Sequence, residues 1–219
     1  MSKYRTNTDH CRYVLRVAWT AHRGATAGTG SEAEDFMRRL LPGGTFTMTD
    51  SHPDIILFMS GGSERRAIEL ADPDRPVLLL SIRGNNAYAA ATEVMAWMVN
   101  NSRIAMLSDA GDASDSGLID RWRIAAGAWA ALQGSRAGLI GTVSEWLVAS
   151  GVTAETLRRR FGVELTGIPW ETLPDYSKEA PDLALLSRFA EKKTEGLEDA
   201  ARVLTLLRRA LQKRELAAI

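Results

Sequence analysis

Four short stretches of small and polar residues carry the side chains with which this sequence could do chemistry. They are Ala21-His22-Arg23-Gly24-Ala25, Ser60-Gly61-Gly62-Ser63-Glu64, Arg83-Gly84-Asn85-Asn86 and Gly141-Thr142-Val143-Ser144-Glu145, the last followed at once by Trp146. Each comes directly after an apolar run. Glycines there let the backbone approach a ligand, and asparagine and serine side chains both donate and accept hydrogen bonds. His22 could move a proton, its neighbour Arg23 could hold a developing oxyanion, and Trp146 could stack on a sugar ring. The pattern suits recognition of a small polar ligand, and His22, Arg23, Gly61, Gly62, Asn85, Asn86 and Trp146 are the candidate substrate-binding residues. Each loop taken alone also has a plainer account as a turn and helix cap. Thr142 and Glu145 have capping-box spacing, and for Trp146 packing in a core is the commoner role.

Several other chemistries find no support. Gly-x-Gly-x-x-Gly is absent after the first apolar run, Gly28-Thr29-Gly30 is too short a match to stand for it, and there is no Walker motif. The three histidines, His10, His22 and His52, are not spaced as helical metal ligands, and Cys11, the single cysteine, cannot build a thiolate site alone. Asp109, Asp112, Asp115 and Asp120 form an acidic stretch, which loop solvation and helix N-terminal charge explain better than a magnesium or manganese site. No Gly-x-Ser-x-Gly elbow marks a nucleophile. Lys+Arg and Asp+Glu both number 27, so the chain carries no basic excess to attract nucleic acid or a membrane surface. The Arg158-Arg159-Arg160 and Arg208-Arg209 runs lie in helical patterns among acids and read as solvated faces. With a polar N-terminus, one cysteine and no apolar run of about 20 residues, the sequence reads as a cytoplasmic protein.

The elements that must position these loops alternate along the 219 residues. Strands are expected at Tyr13–Trp19, Thr45–Met48, Asp54–Met59, Pro76–Ile82 and Arg103–Ser108, then at Ala137–Thr142, Val163–Pro169 and Ala217–Ile219. Ile55-Ile56-Leu57-Phe58-Met59 and Val77-Leu78-Leu79-Leu80 do not alternate with polar residues, which suits strands covered on both faces. Helices are expected at Ser31–Leu41, with Ser31 and Glu34 at capping-box spacing, and at Ser63–Leu70, Asn86–Val99, Ser116–Leu132 and Thr153–Phe161. Pro181–Arg214 reads as one helix or two, with Gly196 as the break. Trp97 reads as core, and Trp122 and Trp129, seven apart on one helix, as packing or an interface. Strand–helix alternation predicts an α/β fold with a doubly wound parallel sheet of flavodoxin or Rossmann type, and the order 2-1-3-4-5 is expected by analogy with that fold class. A composition shift at Gln133-Gly134-Ser135 divides the chain into an N-terminal α/β domain, 1–134, and a second, smaller α/β domain, 135–219. The apolar tail after a long helix reads as the start of another strand, hence as an unfinished domain whose open edge favours an oligomer.

Asp54–Trp97, with Ser60-Gly61-Gly62-Ser63-Glu64 and Gly84-Asn85-Asn86 leading to Ala90 and Glu93, resembles the N-terminal domain of the L-fucose/L-arabinose isomerase family. Leu139-Ile140-Gly141-Thr142-Val143-Ser144-Glu145-Trp146-Leu147-Val148-Ala149-Ser150 resembles the start of that family's second domain, as do Leu157–Leu165 and Ile168-Pro169-Trp170-Glu171-Thr172-Leu173. The resemblance covers about residues 50–219. It implies a subunit of three α/β-type domains, a divalent metal, usually manganese, and aldose–ketose interconversion through an enediol or enediolate. It also implies hexamers in which the N-terminal domain walls a neighbour's active site. The family's metal ligands lie beyond the matched region, so none transfers to this chain and no cofactor is expected in it. The expected role is the N-terminal portion of a sugar isomerase, supplying oligomerisation and part of the pocket without catalysis of its own. The alternative is a stand-alone carbohydrate or small-ligand binding module of flavodoxin-like fold. A flavin protein of the same fold is a third reading, which the missing phosphate loop disfavours.

Overall fold

A computed structural model describes residues 13–26, 28–110, 116–149, 151–191 and 195–218. His10, Cys11, Asp112 and Asp115 lie outside the described residues. The chain forms two compact units, one up to Ala130 and one from Ala131.

Five parallel strands build the first unit: β1 (Leu15–Thr20), β2 (Phe46–Met48), β3 (Ile55–Phe58), β4 (Val77–Ser81) and β5 (Ala105–Asp109). Their order is β2-β1-β3-β4-β5, the one expected for this fold class. Val17 pairs with Ile55, Ile55 with Leu78, and Leu78 with Met106, so one row of residues crosses the sheet. Four helices accompany the strands: α1 (Thr29–Leu40), α2 (Glu64–Leu70), α3 (Ala87–Asn100) and α4 (Ser116–Leu132).

Side chains alternate across a strand, and here the alternation sorts two cores. Leu15, Val17, Ile55, Leu57, Leu78 and Leu80 pack with Ala33 and Met37 of α1 and Ile119 and Ala126 of α4. Ala18, Ile56, Phe58, Val77 and Leu79 pack on the other face with Ala67 and Leu70 of α2 and Ala90, Ala91, Val94 and Met98 of α3. All four residues of β3 and all five of β4 are buried, which is why those runs carry no polar alternation. Each such large side chain contributes roughly 1.5–3 kcal/mol by leaving water.

One polar cluster is buried at the opposite end of the sheet from the loops of interest. Asp54 is 1% exposed. Its carboxylate accepts from Tyr13 Oη at 3.2 Å, the Arg16 amide at 2.9 Å and Arg75 Nη2 at 2.9 Å. Its carbonyl accepts from Trp122 Nε1 at 2.8 Å, and the Arg75 guanidinium lies 4.4 Å from the Trp129 ring centroid. Trp122 and Trp129 are thus half-buried against their own unit, the packing alternative of the sequence reading. Trp97 is half-buried rather than core, with Arg103 stacked on it at 4.6 Å.

The second unit holds a parallel pair, β6 (Arg136–Ile140) and β7 (Glu164–Ile168), joined through α5 (Ala154–Phe161). Thr153 caps α5 by accepting from the Thr156 amide at 3.1 Å, and Gly162 ends it at φ 66°. Short 3-10 turns at Trp170–Thr172 and Tyr176–Lys178 lead to α6 (Leu183–Arg188) and α7 (Leu197–Arg214). Gly196, at φ 78°, immediately precedes α7, as its position in the sequence predicts. The expected last strand is present as a parallel bridge: Ala218 pairs with Ala137, and the Ala217 amide donates to Arg136 O at 2.7 Å.

Two expected capping boxes do not form. Helix α1 begins at Thr29, two residues before Ser31, after Gly28 with no side-chain cap. No helix follows Thr142 and Glu145; the chain there runs through turns.

Candidate functional site

In a sheet of this order the chain leaves β1 for β2 on one side and then returns to β3 on the other. The loops after β1 and β3 therefore feed helices on opposite faces, α1 with the first core and α2 with the second. They part to leave a crevice beyond the strand ends, the place where such sheets bind ligands. Here the crevice is a cleft of about 1210 Å³. It is lined by Ala21, His22 and Gly24–Thr26 after β1, by Met59–Gly62 and Glu64 after β3, and by Asn85 and Asn86 after β4. Thr29 and Glu32 of α1, and Ala89, Ala90 and Glu93 of α3, close its sides.

Short hydrogen bonds hold the loops to one another. The His22 amide donates to Ser60 Oγ at 2.9 Å, and Ser63 Oγ donates to Ser60 O at 2.9 Å. The Gly61 amide donates to Asn85 O at 2.7 Å. A β-carbon at Gly61 would stand 3.0 Å from Asn86 Cβ and 3.2 Å from Asn86 O, so glycine lets the two loops approach without Asn86 giving way. Gly62, at φ 72°, turns the chain away under His22.

Asn85 and Asn86 are consecutive left-handed residues, at φ 50° and 56°. Asparagine tolerates that conformation better than most residues, and a strained pair of this kind persists only where the surroundings hold it. Asn86 stands at the N-cap of α3, yet its side chain caps nothing. Both carboxamides are exposed and meet no partner among the described residues, so both remain available to a ligand. Among the described residues the charges of the lining are of one sign: Glu32, Glu64 and Glu93, with no lysine or arginine. Glu64 Oε1 already accepts from the Gly62 amide at 3.2 Å, which leaves less positive potential for an anion.

His22, Gly61, Gly62, Asn85 and Asn86 thus come together as the sequence pattern suggests. Arg23 is exposed but does not line the cleft. Trp146 belongs to the second unit, where it lies in a turn and is 81% exposed rather than packed in a core. Glu32 and Thr26 were not legible as site residues. Glu32 lies one turn into α1 and reads as surface until the crevice is known; the signal for it was its distance of about one helical turn from the loop glycines. Among the described residues no three or more His, Cys, Asp or Glu side chains gather to hold a metal. The cleft is lined by hydrogen-bonding groups: two free carboxamides, three carboxylates and one imidazole. No protein-family model and no curated protein matches the chain.

Proposed function

We propose that the first unit binds a neutral monosaccharide or similar polyol in the cleft beyond β1, β3 and β4. In this reading it is the substrate-supporting N-terminal portion of an aldose–ketose isomerase-like protein, without turnover of its own. The observation that carries the binding role is the pair of unpartnered carboxamides at Asn85 and Asn86, which line the cleft together with Glu32, Glu64 and Glu93. Sugar hydroxyls can donate to carboxylates and exchange both kinds of hydrogen bond with carboxamides. Isomerisation also needs a positioned base and an electrophile for the oxyanion. His22 and the glutamates line the cleft for the first, and among the described residues no lysine or arginine lines it for the second.

A stand-alone binding module is favoured by a separate observation: every residue lining the cleft belongs to the first unit. The two readings share the binding step and differ in assembly, since a portion of an isomerase would associate and a module would stay monomeric. Titration of the ¹⁵N-labelled chain with L-fucose and L-arabinose is expected to move the Gly61, Gly62, Asn85 and Asn86 amide resonances saturably. Neither sugar is expected to convert to its ketose with manganese present. Unmoved resonances would end the binding reading. Conversion abolished by a chelator would end the claim of no turnover.

A further inference from the structure

The second unit carries a cleft of its own. It lies beyond the carboxyl ends of β6 and β7, with a volume of about 620 Å³, inside the ~300–1,000 Å³ range of small-ligand sites. Its floor is Ile168, 1% exposed. Its walls are Gly141 and Thr142 after β6 and Pro169, Trp170 and Glu171 after β7.

The aromatic wall is fixed in place. Trp170 starts a 3-10 turn in which the Thr172 amide donates to Pro169 O at 3.0 Å and the Leu173 amide to Trp170 O at 3.0 Å. Thr172 Oγ1 adds a second bond to Pro169 O at 2.7 Å. The Gly141 amide continues the strand ladder by donating to Ile168 O at 3.0 Å. A β-carbon on Gly141 would meet Trp170 Cδ1 and Nε1 at 3.3 Å, so the indole lies against bare backbone. The ring is nonetheless 52% exposed. Neither its N–H nor the Glu171 carboxylate is engaged by another described residue.

We propose that this cleft is a second ligand site, one that takes a neutral sugar ring with its apolar face on Trp170. An indole combines an apolar face with one donor. Glu171 accepts hydroxyl protons, and Thr142 donates and accepts. Among the described residues no lysine or arginine lines the cleft to receive a phosphate, which disfavours a nucleotide. The proposal is independent of the cleft in the first unit, because the two share no residue.

The test follows indole resonances in the full-length chain. Six tryptophans give six indole N–H signals, and Trp170→Phe identifies the one in question. Titration with L-fucose and L-arabinose to about 50 mM passes well beyond a millimolar dissociation constant. The expected result is a saturable shift of the Trp170 signal, retained in Asn86→Ala and about tenfold weaker in affinity in Glu171→Ala. Circular dichroism checks that each variant is folded. A still Trp170 signal, with the Gly61 and Gly62 amides moving, would overturn this proposal and leave the first cleft standing. A moving Trp170 signal with still glycine amides would support it and remove the first. Saturation by adenosine but by neither sugar would overturn it as well.

Discussion

Tyr13 shows how much one hydroxyl can carry. It donates to a buried carboxylate, so it serves the fold only while protonated. Burial first, and then the Asp54 charge, raise its pKa above the ordinary 10.0. The folded chain thus holds this proton more tightly than the unfolded chain. Its contribution is complete below about pH 10 and is lost as pH rises through the raised value. Urea unfolding between pH 8 and 11 is expected to show the wild type losing stability at the alkaline end more steeply than Tyr13→Phe. Equal slopes would mean that the hydroxyl is not coupled to Asp54. From the sequence, Tyr13 and Asp54 mark only the starts of two strands. Their meeting depends on β1 and β3 being neighbours, a fact of topology rather than of local pattern.

The loops after β3 and β4 behave as one wall because Gly61 lets them touch. A valine there would drive two methyl groups into the Asn86 backbone, with Asn86 O 3.2 Å from its β-carbon. The β4–α3 loop would move, and both carboxamides with it. Gly61→Val is expected to keep the far-ultraviolet circular dichroism and to weaken sugar binding at least about tenfold, the worth of one or two hydrogen bonds. Unchanged binding would mean that the two loops act separately. The strands, the helices and the break at Gly196 were legible because buried parallel strands and amphipathic helices leave periodic apolar signatures. The caps were less so. Ser31 and Glu34 have the right spacing one turn too late, because α1 starts after a glycine. Trp146 and Trp170 both follow apolar runs, and nothing local separates them. Only the path of the chain leaves Trp146 in an open turn and lays Trp170 against Gly141.

The molecule carries no net charge, yet among the described residues the carboxylates that line the cleft of the first unit, Glu32, Glu64 and Glu93, are matched by no lysine or arginine. Selection among ligands therefore comes from the local field, not from long-range steering. A sugar phosphate brings negative charge to within a few ångströms of three carboxylates. L-fucose 1-phosphate is expected to bind at least about tenfold more weakly than L-fucose, with the gap closing as salt screens the repulsion. Equal affinities at low salt, measured by calorimetry, would show that the carboxylates do not face the ligand. The sheet beneath the cleft raises a different question, that of alignment. A strand with one wet face punishes a one-residue slip by exposing its apolar side chains. Strand β3 has no such safeguard, since Ile55, Ile56, Leu57 and Phe58 are apolar on both faces and would stay buried if exchanged. Asp54 supplies what the apolar residues cannot. One step along the chain, its carboxylate would lose Tyr13, Arg16 and Arg75 together, and its carbonyl would lose Trp122. Hydrophobic burial makes this strand stable, and a single hydrogen-bonded side chain at its entrance makes its alignment unique.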